Sequence, residues 1–433
     1  MATTDLHVPD DIARAVMDPA SYPQLESVVL PACTWLRDNL PVGLATVDGW
    51  DPVWLVSRHA DIVQVLRNQG AFHNGDFPHL TSIASKEFAR SLTSGSARSF
   101  DYPSYMDPPE HPKVRSSAND FFRPEYIRKN YEPAFREFAK DVVDGLMARA
   151  DGGVGEADFV NDFVRAYPLR VVLAILGLGE DLAPRALALT REFNGFHDPA
   201  NHRAEFAGLP DAAGRQWAAT IKDLRDFFSD LRRARAGSES NDLVTFIENA
   251  RIDGEPWEDR YADSLLAGIL PAGHDTTALA LSGGVLGLIR FPEQLAACKR
   301  DPSLIPGLVE ECLRYSTPAK HFMRIAVEDV TVGDAVIKAG DEVMCLFASG
   351  NRDPRVFADP DVFDVTRRPN PHLTFSSGPH ICSGIHIARI EMRVLLEELI
   401  PRIGTVELAG EIEIEPANLV SGLRTLPIRF TTA

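Results

Sequence analysis

Residues 257–290 constrain the architecture more than any other part of the chain. They read as one very long helix, well beyond the mean of about 11–12 residues, and the second half is apolar nearly all round. A helix without a polar face has no place on a surface; it runs through a core and needs neighbours on every side. Pro292 ends it. Residues 133–150, 161–178 and 215–236 carry apolar stripes opposite charged faces, and GSESND supplies a turn and an N-cap for NDLVTFIENAR. Shorter helices are expected at 293–300 and 303–315.

Extended structure is confined to short runs. PVWLVSR at 52–58 is rich in β-formers and feeds HADIVQVLRN, whose apolar residues fall at helical spacing. Between 70 and 104 no period persists, which reads as long loops of the lid or binding type. IAVEDVTVGDAVIKAGDEVM alternates around Gly333, Asp334, Gly340 and Asp341 and reads as hairpins. NRDPRVFADPDVFDVTRRPNPH is too rich in Pro and Asp for regular structure and reads as a stiffened coil. A helix at 383–399 and strands at 405–430 follow. The expected fold is a single mainly α domain over residues 1–433 with small antiparallel β-sheets.

Charge removes several functions. Lys and Arg number 44 against 62 Asp and Glu, a formal charge of −18, which argues against nucleic-acid binding through a broad basic face. The five cysteines are scattered, with no CxxC pair, as expected in a reducing cytoplasm and without a structural zinc site. The start MATTDLHVPDD has no basic and apolar leader, and no stretch approaches the roughly 18 apolar residues that span a bilayer. A soluble cytoplasmic protein is expected.

Three segments carry residues suited to chemistry. In FSSGPHICSGIHIAR, Cys382 is flanked by glycines at the mouth of a helix, where a thiol pKa is depressed and the backbone can approach a ligand closely. Thiolate ligand, nucleophile and buried structural cysteine all fit. In AGHDTT of the long helix, the Thr276 hydroxyl can bond the Ala272 carbonyl four residues earlier and bend the helix; His274 and Asp275 also read as a surface pair. In EECLRY, Glu311 and Arg314 share a helix face, an ordinary salt bridge by itself.

Taken together and in order, the three segments resemble the cytochrome P-450 family of haem-thiolate monooxygenases. Phe375, Gly378, His380, Cys382 and Gly384 fall on the family's cysteine signature, and Ala388 and Arg389 extend it. Ser376 stands where Gly is usual, and Ser383 where an apolar residue is usual. The resemblance implies haem b with Cys382 as axial iron ligand, pushing electron density onto the iron to favour O–O cleavage, and Phe375 packed near the sulfur. Asp275 and Thr276 match the acid–alcohol pair that delivers protons during oxygen activation, with Pro271 as an unexpected additional kink. Glu311, Arg314 and the later Arg367 match a buried structural triad. His111 and Arg115 of MDPPEHPKVR, together with Arg324 and His380, are the implied partners of the haem propionates.

The implied reaction inserts one atom of O2 into a small apolar organic substrate, by hydroxylation or oxidative dealkylation. The electrons would come from a soluble ferredoxin and its reductase, docked on a local basic face of Lys113, Arg115 and Arg389. Gly268, Ile269, Ala272, Phe322 and Met323, with residues 70–104 and 192–209, are expected to line the pocket. VSGLRTLPIRF and MDPPE resemble the soluble bacterial camphor-hydroxylase branch, which points to a terpenoid or small aromatic; a monomer is expected. A peroxide-driven haem enzyme and a non-catalytic haem sensor or carrier are the alternatives; the presence of Asp275 and Thr276 speaks against the first.

Overall fold

The computed structural model describes residues 6–92, 98, 100–209 and 211–433. The long helix spans Asp259–Arg290 and continues unbroken through Pro271. It starts two residues later than expected, because Glu258 has extended backbone and Trp257 is buried in the coil before it. Asp259 in its first turn and Arg290 in its last complement the helix dipole. Leucines, alanines and valines on all sides of its second half are buried, so apolar burial fixes its central place. A Cβ on Gly284 would meet Cys312 Sγ at 2.1 Å, so glycine there lets the helix Ile305–Ser316 come close. Helices Ala166–Leu176, Ala183–Asn194 and Ala212–Ala234 pack on other faces.

Two local differences from the sequence reading have physical causes. The expected helix at 161–178 begins as a π-helical turn, Phe159–Val164, capped by the Asp158 carboxylate, before Ala166–Leu176 takes over. Within the stretch expected to be loop, Ile83–Leu92 is helical. Its only buried residue is Lys86, whose ammonium pairs with Asp51 and Glu342 from distant parts of the chain. Residues 93–97 and 99 of that stretch lie outside the described residues.

The largest sheet runs Val42–Ala45, Val53–Val56, Glu342–Leu346, His321–Ala326, Phe72–His73. Glu342–Leu346 lies parallel to Val53–Val56, and the other pairings of this sheet are antiparallel. The expected hairpin Val330–Val332 with Ala335–Ile337 turns at Gly333, whose φ is 56°. Tail strands Ile403–Leu408 and Pro427–Thr432 add Val154–Asp158 as a third strand. No helix among the described residues is long and apolar enough to cross a membrane.

Residues 351–377 contain no helix or strand, so their carbonyls need partners from elsewhere. A buried hub supplies them. Arg314 forks onto both oxygens of Glu311 at 2.8 and 2.6 Å and donates to the carbonyls of Asn351, Pro360 and Val362. Arg367 reaches Glu311 at 3.3 Å and donates to Ala358 and Val362. Glu311 and Arg314 are wholly buried. This network fixes the path of the coil into the Cys382 loop.

Candidate functional site

The loop geometry follows from three residues. Gly378 has φ 77°, and a Cβ there would lie 2.6 Å from the Leu66 carbonyl oxygen, so only glycine fits. Ser376 also takes a left-handed φ of 65°, and its hydroxyl is buried without a partner. The Cys382 amide donates to the Phe375 carbonyl at 2.9 Å and closes the loop. Phe375 is buried beneath the Arg389 guanidinium, 4.8 Å from the ring centre.

Cys382 differs from the other four cysteines in being exposed, whereas Cys33, Cys298, Cys312 and Cys345 are buried. The thiol nevertheless behaves as an interior group. Surrounding protein pushes its pKa up, against the pull of the Gly384 and Ile385 amides and of Arg115 and Arg389. It is therefore on the wall of an enclosed space. The raised pKa corrects the sequence expectation of a depressed thiol: desolvation outweighs the helix mouth and both guanidiniums. Such a thiol is a poor free nucleophile and suits a ligand that ionises when a metal binds it. Among the described residues no group of three His, Cys, Asp or Glu is placed to hold a bare ion, so a single sulfur donor suits a metal that brings its own equatorial ligands. Gly384 leaves room over the sulfur: a Cβ there would meet only Sγ, at 3.8 Å.

The long helix presents a matching face. Ala272 is exposed and Ile269, Gly273 and Thr276 are partly exposed, while Gly268, Leu270, Pro271, His274, Asp275 and Thr277 are buried. Positions 269, 272, 273 and 276 lie on one side of a helix, so this stripe of a core helix faces an interior space. Thr276 Oγ1 donates to the Ala272 carbonyl at 2.8 Å. Tyr102 lies near both: its ring fills the position a Gly268 Cβ would take, at 2.4 Å, and its hydroxyl pKa is pushed to about 12 by burial and, less, by Cys382.

A set of donors beside the sulfur awaits an anion. His111 and His380 stack with ring centres 3.9 Å apart, and the Nε2 of each is buried without a partner. Asn74 donates to His380 Nδ1 at 3.3 Å, which leaves Nε2 as the N–H of the neutral ring. Arg324 is buried and donates from Nη1 to the Met323 carbonyl at 2.7 Å; burial lowers its pKa. Arg115 donates to the Ile381 carbonyl at 2.8 Å and to the Ser383 hydroxyl. Ser383, unusual after the cysteine, thus anchors a cation. Neither arginine has a carboxylate partner among the described residues. Orphaned imidazole donors beside unneutralised guanidiniums suit the carboxylates of a haem.

Other expected residues are placed differently. Phe322 and Met323 alternate along the strand His321–Ala326, so they point to opposite faces and do not share one pocket wall. Phe322 packs on Phe347, and Met323 sits in the apolar cluster with Leu80 and Met344. Two of the three cations expected to form a basic face, Lys113 and Arg389, are paired with carboxylates, while Arg115 is not. Lys113 pairs with Asp253 at 2.6 Å, and Arg389 forks onto Glu310 at 2.7 Å. Burial would raise the Glu310 carboxyl, but hydrogen bonds from Arg389 and His372 hold it at about 2.

Around Asp275 the structure adds residues no motif announced. Asn194 donates through one Nδ2 to the Pro271 carbonyl at 3.2 Å and to Asp275 Oδ2 at 3.0 Å. Pro271 thus shares its partner with the acid next along the helix. His274 is wholly buried, not on the surface. Glu415, pushed up to about 7 by burial and by Asp275 against Arg165, lies 2.6 Å from Arg165.

Comparison with known proteins supplies kinship. The family model described as Cytochrome P450 matches residues 48–403. Cytochrome P450-terp of a Pseudomonas species is 39% identical over 428 residues, 98% of this chain and 99% of that protein. Steroid C26-monooxygenase of Mycobacterium tuberculosis is 33% identical over 331 residues, 75% of this chain and 85% of that protein. The crystal structure of CYP108D1 from Novosphingobium aromaticivorans matches with a TM-score of 0.89 at 34% identity, covering 99% of this chain and all of that one (100%).

Proposed function

From the premise that this chain belongs to the cytochrome P450 family, and is a monooxygenase with haem b, we propose that Cys382 would supply the thiolate ligand to the haem iron and that the Ile269–Thr276 stripe would line the space for substrate. The observation that carries this reading is that Cys382 is the exposed cysteine of the five and that Ala272 is exposed in the middle of a core helix, with Tyr102, which packs on Gly268, close enough to Cys382 for its hydroxyl to feel the sulfur's charge. When bound, haem supplies O2 activation with two electrons and two protons; one oxygen atom enters a C–H bond and the other leaves as water. His111, Arg115, Arg324 and His380 would hold its carboxylates, and Phe375, Gly378 and Gly384 shape the loop that would receive it. Structurally, the Glu311, Arg314 and Arg367 hub keeps that loop in register.

Proton handling falls to the long helix. With its hydrogen on the Ala272 carbonyl, Thr276 Oγ1 keeps lone pairs free to accept a hydrogen bond from the interior space. Asp275 is held by Asn194 and supplies protons to that side. The substrate is a small apolar compound, a terpenoid or small aromatic, undergoing hydroxylation or oxidative dealkylation. Ile269 and Ala272 offer no polar contact, and Phe100, Tyr102, Phe193 and Trp217 pack as an aromatic shell next to Gly268. Electrons come from a soluble ferredoxin and its reductase, in the cytoplasm, to a monomeric enzyme. Arg128 and Lys129 are exposed at the end of the helix Pro124–Asn130, which packs on the helix following Cys382, and with Arg115 they form the docking face.

Reduction of the purified holoprotein under carbon monoxide tests the assignment. A far red-shifted Soret band is expected, and Cys382→Ser should abolish it. An ordinary haem–CO band in fresh wild-type protein refutes thiolate ligation. Product formation should need NADH, reductase and ferredoxin; equal turnover with hydrogen peroxide alone favours the peroxide-driven alternative, and no turnover under any supply favours a sensor or carrier.

A further inference from the structure

Three polar side chains within the aromatic shell beside Gly268 are left without hydrogen-bond partners. Tyr105 is buried, and its hydroxyl bonds to nothing. His197 Nε2 is buried in the same condition, and the buried ring of His79 makes no hydrogen bond among the described residues. The three are grouped: His79 lies edge-on to Tyr105 with ring centres 6.3 Å apart, and Phe196 packs on both His79, at 5.6 Å, and His197, at 4.0 Å. Phe100 joins Tyr105 to Tyr102, the ring against Gly268. Tyr102 and His197 keep exposed surface, yet burial displaces the pKa of both, up to about 12 and down to about 3, so they face an enclosed space. A neighbouring histidine shows what a structural role looks like. His321 donates from Nδ1 to the Asn418 carbonyl at 2.8 Å and accepts the Leu80 amide on Nε2 at 3.0 Å, which uses both nitrogens.

We infer that Tyr105, His79 and His197 form a recognition site for one uncharged hydroxyl group of the substrate, separated from Gly268 by Phe100 and Tyr102. This rests on the proposed monooxygenase reading and narrows its substrate to an apolar alcohol. Buried polar atoms are costly to leave unmet, so a partner that arrives with the ligand is the arrangement they suit. Charge is excluded. Burial, with His197 beside it, lowers His79 to about 3 as well, so both rings are neutral near pH 7. Lys86, the cation that His79 feels, is paired with Asp51 and Glu342, and a carboxylate would find no counter-ion here. Each neutral imidazole offers one N–H and one lone pair, and the phenol offers both. A hydroxyl accepts from one of these groups and donates to another, whereas a carbonyl only accepts and leaves the imidazole lone pairs unmet. With its oxygen held there, the hydrocarbon end of the substrate lies along the aromatic wall towards Ile269 and Ala272, so oxidation falls at the end remote from the hydroxyl.

The test compares three probes of one shape, 4-tert-butylcyclohexanol, the corresponding ketone and tert-butylcyclohexane, bound to the holoprotein and measured by equilibrium dialysis. The alcohol should bind more tightly than the ketone. Tyr105→Phe, His79→Phe and His197→Phe each keep an aromatic ring and remove its hydrogen-bonding groups. Each should weaken the alcohol about threefold to tenfold and leave the hydrocarbon within about twofold. In turnover the wild type should oxidise the alcohol chiefly at the tert-butyl group, and Tyr105→Phe should move product towards ring positions. A ketone bound as tightly as the alcohol overturns the hydroxyl assignment. Equal losses for alcohol and hydrocarbon mark a change of shape only, and alcohol binding unchanged in all three variants means that ordered water meets these groups; either result overturns the inference. Dialysis does not depend on the haem spectrum. If wild-type protein lacks the thiolate band, the monooxygenase reading fails while the binding ratios still decide this site.

Discussion

Replacing Ser376 with glycine should make this enzyme more stable. Ser376 holds φ 65° in the loop before Cys382, a region that costs an L-residue about 1–2 kcal/mol. Its buried hydroxyl has no partner, a desolvation cost of about 1–3 kcal/mol. Glycine removes both and loses about 0.5–1 kcal/mol to the freer unfolded chain. The Ser376 amide bond to the Leu373 carbonyl, 2.7 Å, is backbone and survives. The net gain is about 1–4 kcal/mol. For 433 residues the unfolding entropy is roughly 0.9 kcal/mol/K, so each kcal/mol moves Tm by only about 1 °C. Urea unfolding rates of the holoprotein are the more sensitive measure, because about 1.4 kcal/mol acting on the native state alone slows unfolding about tenfold. Ser376→Ala separates the causes: it drops the hydroxyl and keeps the left-handed backbone, so it should fall between serine and glycine. Alanine equal to glycine, or glycine no better than serine, would refute the strain argument.

Other expectations follow from charges on the page. Glu311→Gln leaves the buried Arg314 guanidinium without its counter-ion and should cost about 3–5 kcal/mol, read as lost haem per purified chain and a lower urea midpoint. Lys320 is 2% exposed, donates to the Ser316 carbonyl at 2.8 Å, and is pushed by burial down to about 7. Between pH about 7 and 10 the unfolded chain binds the extra proton, so stability rises with pH there; below about 7 the penalty is full. Lys320→Met should therefore stabilise most near pH 6, by up to about 5 kcal/mol, and progressively less towards pH 9; a gain independent of pH in urea titrations contradicts this. The pair Arg128→Glu and Lys129→Glu should slow ferredoxin association about tenfold at low salt and flatten its salt dependence, measured by stopped-flow reduction; unchanged kinetics would remove that face as the docking site.

What was readable in the sequence is what local chemistry decides. The apolar circumference of residues 259–290 required a core helix, turn glycines placed the hairpin at Gly333, and glycine spacing marked the Cys382 loop. The helix Ile83–Leu92 was invisible because what holds it is a lysine satisfied by Asp51 and Glu342 and a Phe88 ring under Arg215, not an apolar stripe. Asn194 reaches the acid of the long helix, Arg165 its neighbour His274, and Glu415 pairs with Arg165, each from a separate element, so no spacing rule joins them. Phe322 and Met323 are adjacent on the strand His321–Ala326, whose alternation turns them to opposite sides, a geometry that apolar composition alone does not reveal.

The chain carries an excess of 18 acidic over basic groups, so a buried arginine should find a carboxylate easily, and Arg314, Arg232 and Arg367 do. Arg324 does not, although it is 4% exposed, nor does the partly buried Arg115. An unpaired buried cation costs several kcal/mol, and two unmatched imidazole donors beside them add to that cost. An anionic ligand with two carboxylates offsets all four at once, and Cys382, whose thiol pKa is raised by burial, ionises more readily when a metal takes the sulfur. Haem binding and folding are then coupled: the site is assembled at a cost that the ligand repays. Protein made without haem should unfold in urea well before the holoprotein, and Arg324→Met should narrow that gap by stabilising the haem-free form while weakening haem retention. A variant that lost haem without any gain in haem-free stability would show that Arg324 bears no such cost.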